Sequence, residues 1–118
     1  MVEITPHDSE KGSVIVSRDV LATIAGQAAL EIEGVYAPRE GQFTDFVLSK
    51  KYRSKPYRWV NVDYTEEELE LTLHIVVKHG LKVVKISEDV QQKVKQAIET
   101  MTGTTVSIVN VALLGVVL

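Results

Sequence analysis

The chain has 118 residues, no cysteine and a formal net charge of −3 at pH 7, and this length predicts one domain with one core. The missing cysteines exclude disulfides, thiolate metal ligands and cysteine nucleophiles. The polar N-terminus has no secretory signal pattern, and the longest nearly apolar run, 108–118, is too short for a spanning helix of about 20 residues, so we expect a soluble protein.

The first third of the chain predicts a leader, a strand and a helix. Residues 1–11 are polar and show no periodicity, which is typical of a flexible leader. A short β-prone run follows at 13–16. Ser17 suits a helix N-cap, and Gly34 suits the position just beyond a helix, where a positive φ is needed. Because apolar residues recur at helical spacing between them, we predict a helix over about 18–33.

The middle of the chain predicts a long loop followed by a β-hairpin. A short strand is expected at 35–37, and the charged stretch 38–58 then predicts a basic loop. Two runs, 57–64 and 69–78, alternate between apolar and polar residues and are joined by a short acidic turn. This pattern is typical of a hairpin with one buried face.

The last third predicts a second helix and an apolar strand. Apolar residues recur at helical spacing from near Val83 to Met101, and Gly103 suits the end of a helix, so we predict a helix over about 84–102. Residues 104–114 are β-branched and apolar on both faces. That composition favours a central strand that is covered on both sides.

The order of these elements indicates the fold class. The order β-α-(β)-β-β-α-β predicts an α+β two-layer sandwich, with two helices on one face of a mixed sheet of four to five strands. Residues 12–118 are expected to form this single domain after the leader.

Two blocks of residues resemble a known family. The first contains Gly12–Ile15, Val20, Ile24–Gly26, Ala28–Ala29 and Glu33–Tyr36, and the second contains Ile75–Gly80, Val90–Gly103 and Val109–Val111. In order and spacing they are similar to the alkaline shock protein family of bacterial stress and envelope-homeostasis proteins. The resemblance covers residues 12–37 and 69–117.

The resemblance implies a bacterial protein without enzymatic activity, catalytic residues, metal or cofactor. It also implies a cytoplasmic location, or one at the inner face of the cell membrane beside a membrane-anchored protein partner. Where relatives have a glycine-rich connection, this chain has the basic stretch 50–59.

This basic stretch is the best candidate for a binding site. Residues 39–58 hold six basic and two acidic side chains, a net of +4, whereas the rest of the chain holds seven and 14, a net of −7. The candidate anion- or partner-binding residues are Lys50, Lys51, Arg53, Lys55, Arg58 and Trp59. Three interpretations are open: a solvated loop anchored by its aromatic residues, a site for an anionic surface or acidic protein, and a nucleic-acid site.

Two side chains of the hairpin have alternative interpretations. Trp59 falls on the strand face opposite Val60 and Val62, so it is either exposed to a partner or covered by the loop at 38–56. His74 lies on the polar face of its strand. Because a metal site needs several converging ligands, we interpret His74 as solvated or hydrogen-bonded.

The apolar end of the chain completes the functional hypothesis. Residues 113–118 contain no polar side chain, which predicts a self-association surface. We therefore expect a non-enzymatic homo-oligomer that docks onto a protein partner in envelope or alkaline stress homeostasis. The alternative is a nucleic-acid or anionic-surface binding module that uses the basic loop.

Overall fold

The computed structural model describes residues 3–9, 12–38, 57–65 and 68–117. In chain order the elements are β1 (Glu3–Ser9), β2 (Gly12–Ser17), α1 (Arg18–Leu30), β3 (Val35–Tyr36), β4 (Val60–Thr65), β5 (Glu68–Lys78), α2 (Val83–Thr102) and β6 (Ile108–Val117). The predicted fold class is confirmed, since two helices cover one face of a mixed four-stranded sheet.

The longest strand, β5, is the centre of this sheet. On one side it pairs in parallel with β6 along residues 70–78. On its other side it pairs antiparallel with β4 over residues 68–73 and with β3 at residues 76–77. β3 and β4 therefore lie one after the other along the same edge of β5.

The prediction of a central strand at 104–114 is wrong. β6 begins at Ile108, and within the described residues it pairs with β5 alone. None of its residues is buried, because α2 covers one face of the strand only in part. An apolar pattern on both faces does not distinguish an interior strand from a half-covered edge strand.

The core lies between the sheet and the helices. The buried side chains on the helix-facing side of β5 are Leu69, Leu71, Leu73, Ile75 and Val77, and they meet Leu21, Ile24, Ala25, Ala28 and Ala29 of α1 and Ile86, Val90, Val94 and Ile98 of α2. Burying one such aliphatic side chain stabilises a fold by roughly 1.5–3 kcal/mol. The strict alternation along β5 and the helical spacing in α2 therefore produce one shared core.

The first helix begins as predicted and ends earlier. The Ser17 hydroxyl oxygen accepts a hydrogen bond from the Val20 N–H at 3.2 Å, which confirms Ser17 as the N-cap. The helix ends at Leu30 instead of residue 33, because the chain continues in a turn that leads to Gly34 at φ +90°. Only glycine adopts this φ without strain, so the chain reverses there and enters β3.

The second helix spans Val83–Thr102, close to the predicted bounds. Gly103 ends it in the left-handed region at φ 76°, and its N–H donates to the Glu99 carbonyl. At the other end, Lys82 occupies the N-cap position and makes no side-chain cap hydrogen bond.

Residues 3–9, which the sequence places in a flexible leader, form β1 in the structure. β1 and β2 make a separate antiparallel two-stranded sheet. Pro6 has no N–H to donate, and β1 accommodates it because, among the described strands, β1 pairs with β2 only. A short polar strand of this kind has no apolar alternation that a sequence pattern could reveal.

Candidate functional site

The basic loop lies mostly outside the described residues. Of the six candidate binding residues, the structure describes only two, Arg58 and Trp59. Arg58 is half-buried in the turn at 57–59 that precedes β4. The cationic candidates outside the described ranges are Lys50, Lys51, Arg53 and Lys55.

Trp59 is a core residue. Its side chain is 3% exposed and belongs to the same buried cluster as the helix and sheet residues. The interpretation of Trp59 as an exposed docking residue is therefore wrong. In the sequence, Trp59 lies just outside the strand, where the turn at 57–59 breaks the alternation used to place it on a face.

Tyr57 packs against the surface of α1. A Cβ added at Gly26 would overlap the Tyr57 ring, so the absence of a side chain at Gly26 makes room for that ring. The rings of Tyr57 and Trp59 are 6.0 Å apart between centroids, at an angle of 56°. These two aromatic residues pack the end of the basic segment against the body of the protein.

His74 is hydrogen-bonded and buried. It is 8% exposed, and its Nδ1 lies 3.1 Å from the carbonyl oxygen of Trp59. Over the ranges that the structure describes, no three His, Asp or Glu side chains are placed to hold a metal ion.

A row of polar side chains crosses the sheet on the face that the helices leave open. Asn61 of β4 is opposite Thr72 of β5, which is opposite Asn110 of β6. The Asn110 Nδ2 donates to the Glu70 carboxylate at 2.8 Å, which ties β6 to β5 through side chains. The sequence alternation places Thr72 and Glu70 on this face, but it does not show that β6 brings Asn110 beside them.

Among the described strands of the sheet, β6 exposes the most large apolar side chains. Asn110 is the one polar residue among its ten. Ile108, Leu113 and Val116 are 41%, 43% and 47% exposed. The sequence-based hypothesis of an unshielded apolar end at residues 113–118 thus agrees with the exposure of Leu113 and Val116.

A shallow groove of about 330 Å³ separates α2 from the start of β6. Gln91 and Lys95 of α2 line one side, and residues 106–109 line the other. The Gln91 Nε2 donates to the carbonyl oxygen of Val109 at 3.0 Å. The groove thus runs beside the backbone of β6, which the Gln91 side chain covers only in part.

Neither described helix combines the length and the apolar composition that a membrane-spanning segment needs.

Comparisons with known proteins agree with the resemblance seen in the sequence. The uncharacterized protein YqhY of Bacillus subtilis (strain 168) is 26% identical over 116 residues, 98% of this chain and 85% of that protein. YloU of the same organism is 28% identical over 106 residues, 89% of this chain and 88% of that protein. Spy1614 of Streptococcus pyogenes serotype M6 is 29% identical over 105 residues, 88% of this chain and 87% of that protein. The profile of the ASP23 family, described as having a cell envelope-related function, matches residues 6–118, so this chain belongs to the ASP23 family of alkaline shock proteins.

Proposed function

We propose that this chain acts by association, as a non-enzymatic, scaffold-like protein of envelope stress homeostasis. It self-associates and docks onto a protein partner at the inner face of the cell membrane. The family assignment supports the link to the envelope. The self-association is supported by a feature of this chain, the exposed apolar strand at the edge of its sheet.

The observation that carries the proposal is the exposure of β6. Folded proteins commonly protect edge strands with charges, proline or a covering element, because unpaired backbone groups attract a further strand. β6 has no charged residue and no proline. Its exposed side chains Leu113 and Val116 lie in the half of the strand that follows Asn110. A second protein surface that covers these side chains removes apolar area from water.

Light scattering over a range of concentrations tests the self-association. We expect the wild-type chain to exceed the 13.1 kDa of one copy, and a Leu113→Lys/Val116→Lys variant to return towards that mass. Lysine on the edge strand places charge where a second copy would bury it. A wild-type mass of one copy at every concentration would contradict the proposal.

Val20→Lys is the matched control. Val20 lies on α1 and is 47% exposed, the same fraction as Val116. The substitution adds to an equally exposed valine away from β6 the same single charge that Val116→Lys adds to the strand. If Val20→Lys lowers the mass as much as the β6 variant does, a general charge effect explains the result and the β6 assignment is wrong.

The basic loop supports docking to an acidic partner as a second element of the proposal. The net charge of +4 over residues 39–58, against −7 elsewhere, steers an anionic protein or surface towards this segment of the chain. Trp59 is buried in the core, and the ring of the half-buried Tyr57 packs against Gly26 of α1, so these contacts compete with stacking on bases. This favours the acidic partner over the alternative, a nucleic acid.

A charge-reversal experiment distinguishes these partners. In the loop variant, Lys50, Lys51, Arg53 and Lys55 become Glu, and in the control variant the exposed cations Lys82, Lys85, Lys93 and Lys95 of the α2 region become Glu. We expect pull-down of the native partner to fail with the loop variant alone. Binding of RNA or DNA that weakens steeply with salt would favour the nucleic-acid alternative. Recovery of the same partners by both variants would contradict docking through the loop.

A further inference from the structure

We propose that the outer edge of β6 pairs antiparallel with the same edge of a second copy, about a two-fold axis at Val111. The inference rests on the proposed self-association and names its surface and register. It follows from the direction of the backbone N–H and C=O groups in β5 and β6 and from the composition of β6. It also follows from the point at which the regular pairing of β6 with β5 ends.

The backbone of β5 shows which of its residues face β6. The N–H of His74 donates to the Trp59 carbonyl on the β4 side at 2.9 Å. Because successive residues of a strand direct their N–H and C=O groups to opposite sides, the odd-numbered residues of β5 face β6. The Leu69 carbonyl agrees, since it accepts the N–H of Ser107, just before β6, at 3.0 Å.

The parallel register then shows which residues of β6 face outward. Leu71 is opposite Val109. In a parallel pair, when one residue directs its backbone groups to the partner strand, the residue opposite directs its own groups away. Val109, and by alternation Val111 and Leu113, therefore present N–H and C=O groups to the outer edge. The bond from Gln91 to the Val109 carbonyl is consistent with this direction.

Within the described residues, the outer edge of β6 lacks the protection found at the opposite edge of the sheet. There, β3 is two residues long, and β4 carries the exposed charge of Asp63. β6 is ten residues long and has no charge. A shift of register between Ile75 and Val76 interrupts its regular pairing beyond Leu113. The regular outer edge thus runs from Ile108 to Leu113.

A second copy fits this edge because the edge is complementary to itself. A two-fold axis at Val111 places Val111 opposite Val111 of the second copy, and Val109 opposite Leu113 of the second copy. Apolar side chains therefore meet across the contact. On the sheet face that the helices leave open, the same register places Asn110 of one copy beside Ala112 of the other. A shift centred on Asn110 would place Leu113 opposite Ser107, whose N–H already bonds Leu69.

The pairing is small, so we expect it to be reversible. About three hydrogen-bonded residue pairs form, which places the contact among interfaces below about 1,200 Å². The Gln91 amide also occupies one lone pair of the Val109 carbonyl. A covalent trap is therefore a better probe of this contact than purification of a stable dimer.

Cysteine variants test the register directly, because the chain has no native cysteine. Residues directly opposite in a non-hydrogen-bonded antiparallel pair have Cα atoms about 4.5 Å apart, within the range that a disulfide spans. With oxidised glutathione, we expect a mixture of Asn110→Cys and affinity-tagged Ala112→Cys chains to form a mixed disulfide dimer. Each variant alone is expected to give at least a fivefold lower yield of dimer.

The other outcomes each have a definite meaning. A dimer from Asn110→Cys alone, or from Ala112→Cys alone, would overturn this register. If no variant cross-links while the wild-type mass exceeds that of one copy, the assignment of the contact to the β6 edge is wrong, but the proposed self-association stands. If no variant cross-links and the wild-type mass is that of one copy, the proposed self-association fails with it.

Discussion

The carbonyl oxygen of Trp59 receives two contacts from His74, one from the backbone N–H at 2.9 Å and one from Nδ1 at 3.1 Å. Because a carbonyl oxygen only accepts hydrogen bonds, Nδ1 carries a hydrogen. The pair joins the residue before β4 to the middle of β5. It thereby fixes where the basic segment meets the sheet, independently of any partner that this segment binds.

Replacing the His74 side chain tests this bond. His74→Leu keeps a buried side chain of similar size and removes the Nδ1 donor, so we expect the free energy of unfolding to fall by about 1 kcal/mol. Urea denaturation followed by tryptophan fluorescence measures the change close to Trp59. His79→Leu, at an exposed position after β5, is the control and should leave stability within about 0.5 kcal/mol. Equal effects of the two substitutions would mean that the bond contributes nothing.

The close packing of Tyr57 on Gly26 predicts a reversal of sign in a double-mutant cycle. Gly26→Ala alone should destabilise the fold, because the new Cβ overlaps the Tyr57 ring. In a Tyr57→Ala background the overlap is gone, and alanine should then stabilise α1 by up to about 1 kcal/mol through its higher helix propensity. Thermal unfolding of the wild type, the two single variants and the double variant measures the effect of Gly26→Ala on stability in each background. A destabilising Gly26→Ala in both backgrounds would contradict the assigned contact.

The missing side-chain cap of α2 predicts a stabilising substitution. Lys82 has extended backbone at φ −79° and ψ 106°, which suits an N-cap residue, but its side chain makes no cap bond. Lys82→Asp supplies a cap oxygen and favourable charge at the helix N-terminus, so we expect a gain of about 1 kcal/mol in the free energy of unfolding.

Ser17→Ala serves as the reciprocal comparison, since it removes an existing cap from α1 and should cost about 1 kcal/mol. Denaturant midpoints measure both changes. An unchanged or lower midpoint for Lys82→Asp would show that the start of α2 is not limited by its cap.

Partial burial raises the pKa of the Tyr64 phenol through desolvation, above its ordinary value of 10.0. A raised folded-state pKa means that the stabilising contribution is complete below the unfolded pKa and is lost as pH rises through the folded pKa. We therefore expect stability to decline above about pH 10, and Tyr64→Phe to reduce this decline. Tyr36→Phe, at a tyrosine that is 45% exposed, is the matched control. Equal pH profiles for wild type and Tyr64→Phe would refute the prediction.

Much of the fold follows from local patterns. The N-cap at Ser17, the left-handed Gly103 and the alternation of β5 are all read correctly from the sequence, because each depends on the preferences of a few neighbouring residues. The end of α1 at Leu30 is harder to predict from the sequence, since the turn before Gly34 continues the apolar spacing of the helix. The strand at 3–9 had no local signal, because its pairing with β2 compensates for a polar composition.

The candidate interaction surfaces depend on contacts between distant parts of the chain. The sequence by itself determined the segregated charge of residues 39–58 and the apolar composition of the last strand. The tertiary structure alone decided that Trp59 is buried, that Asn110 meets Glu70, and that, among the described strands, β6 lies at the edge of the sheet while β5 lies at its centre. The physical reason is that apolar composition indicates removal from water, whereas the position of a strand within a sheet depends on which strands pair with each of its two edges.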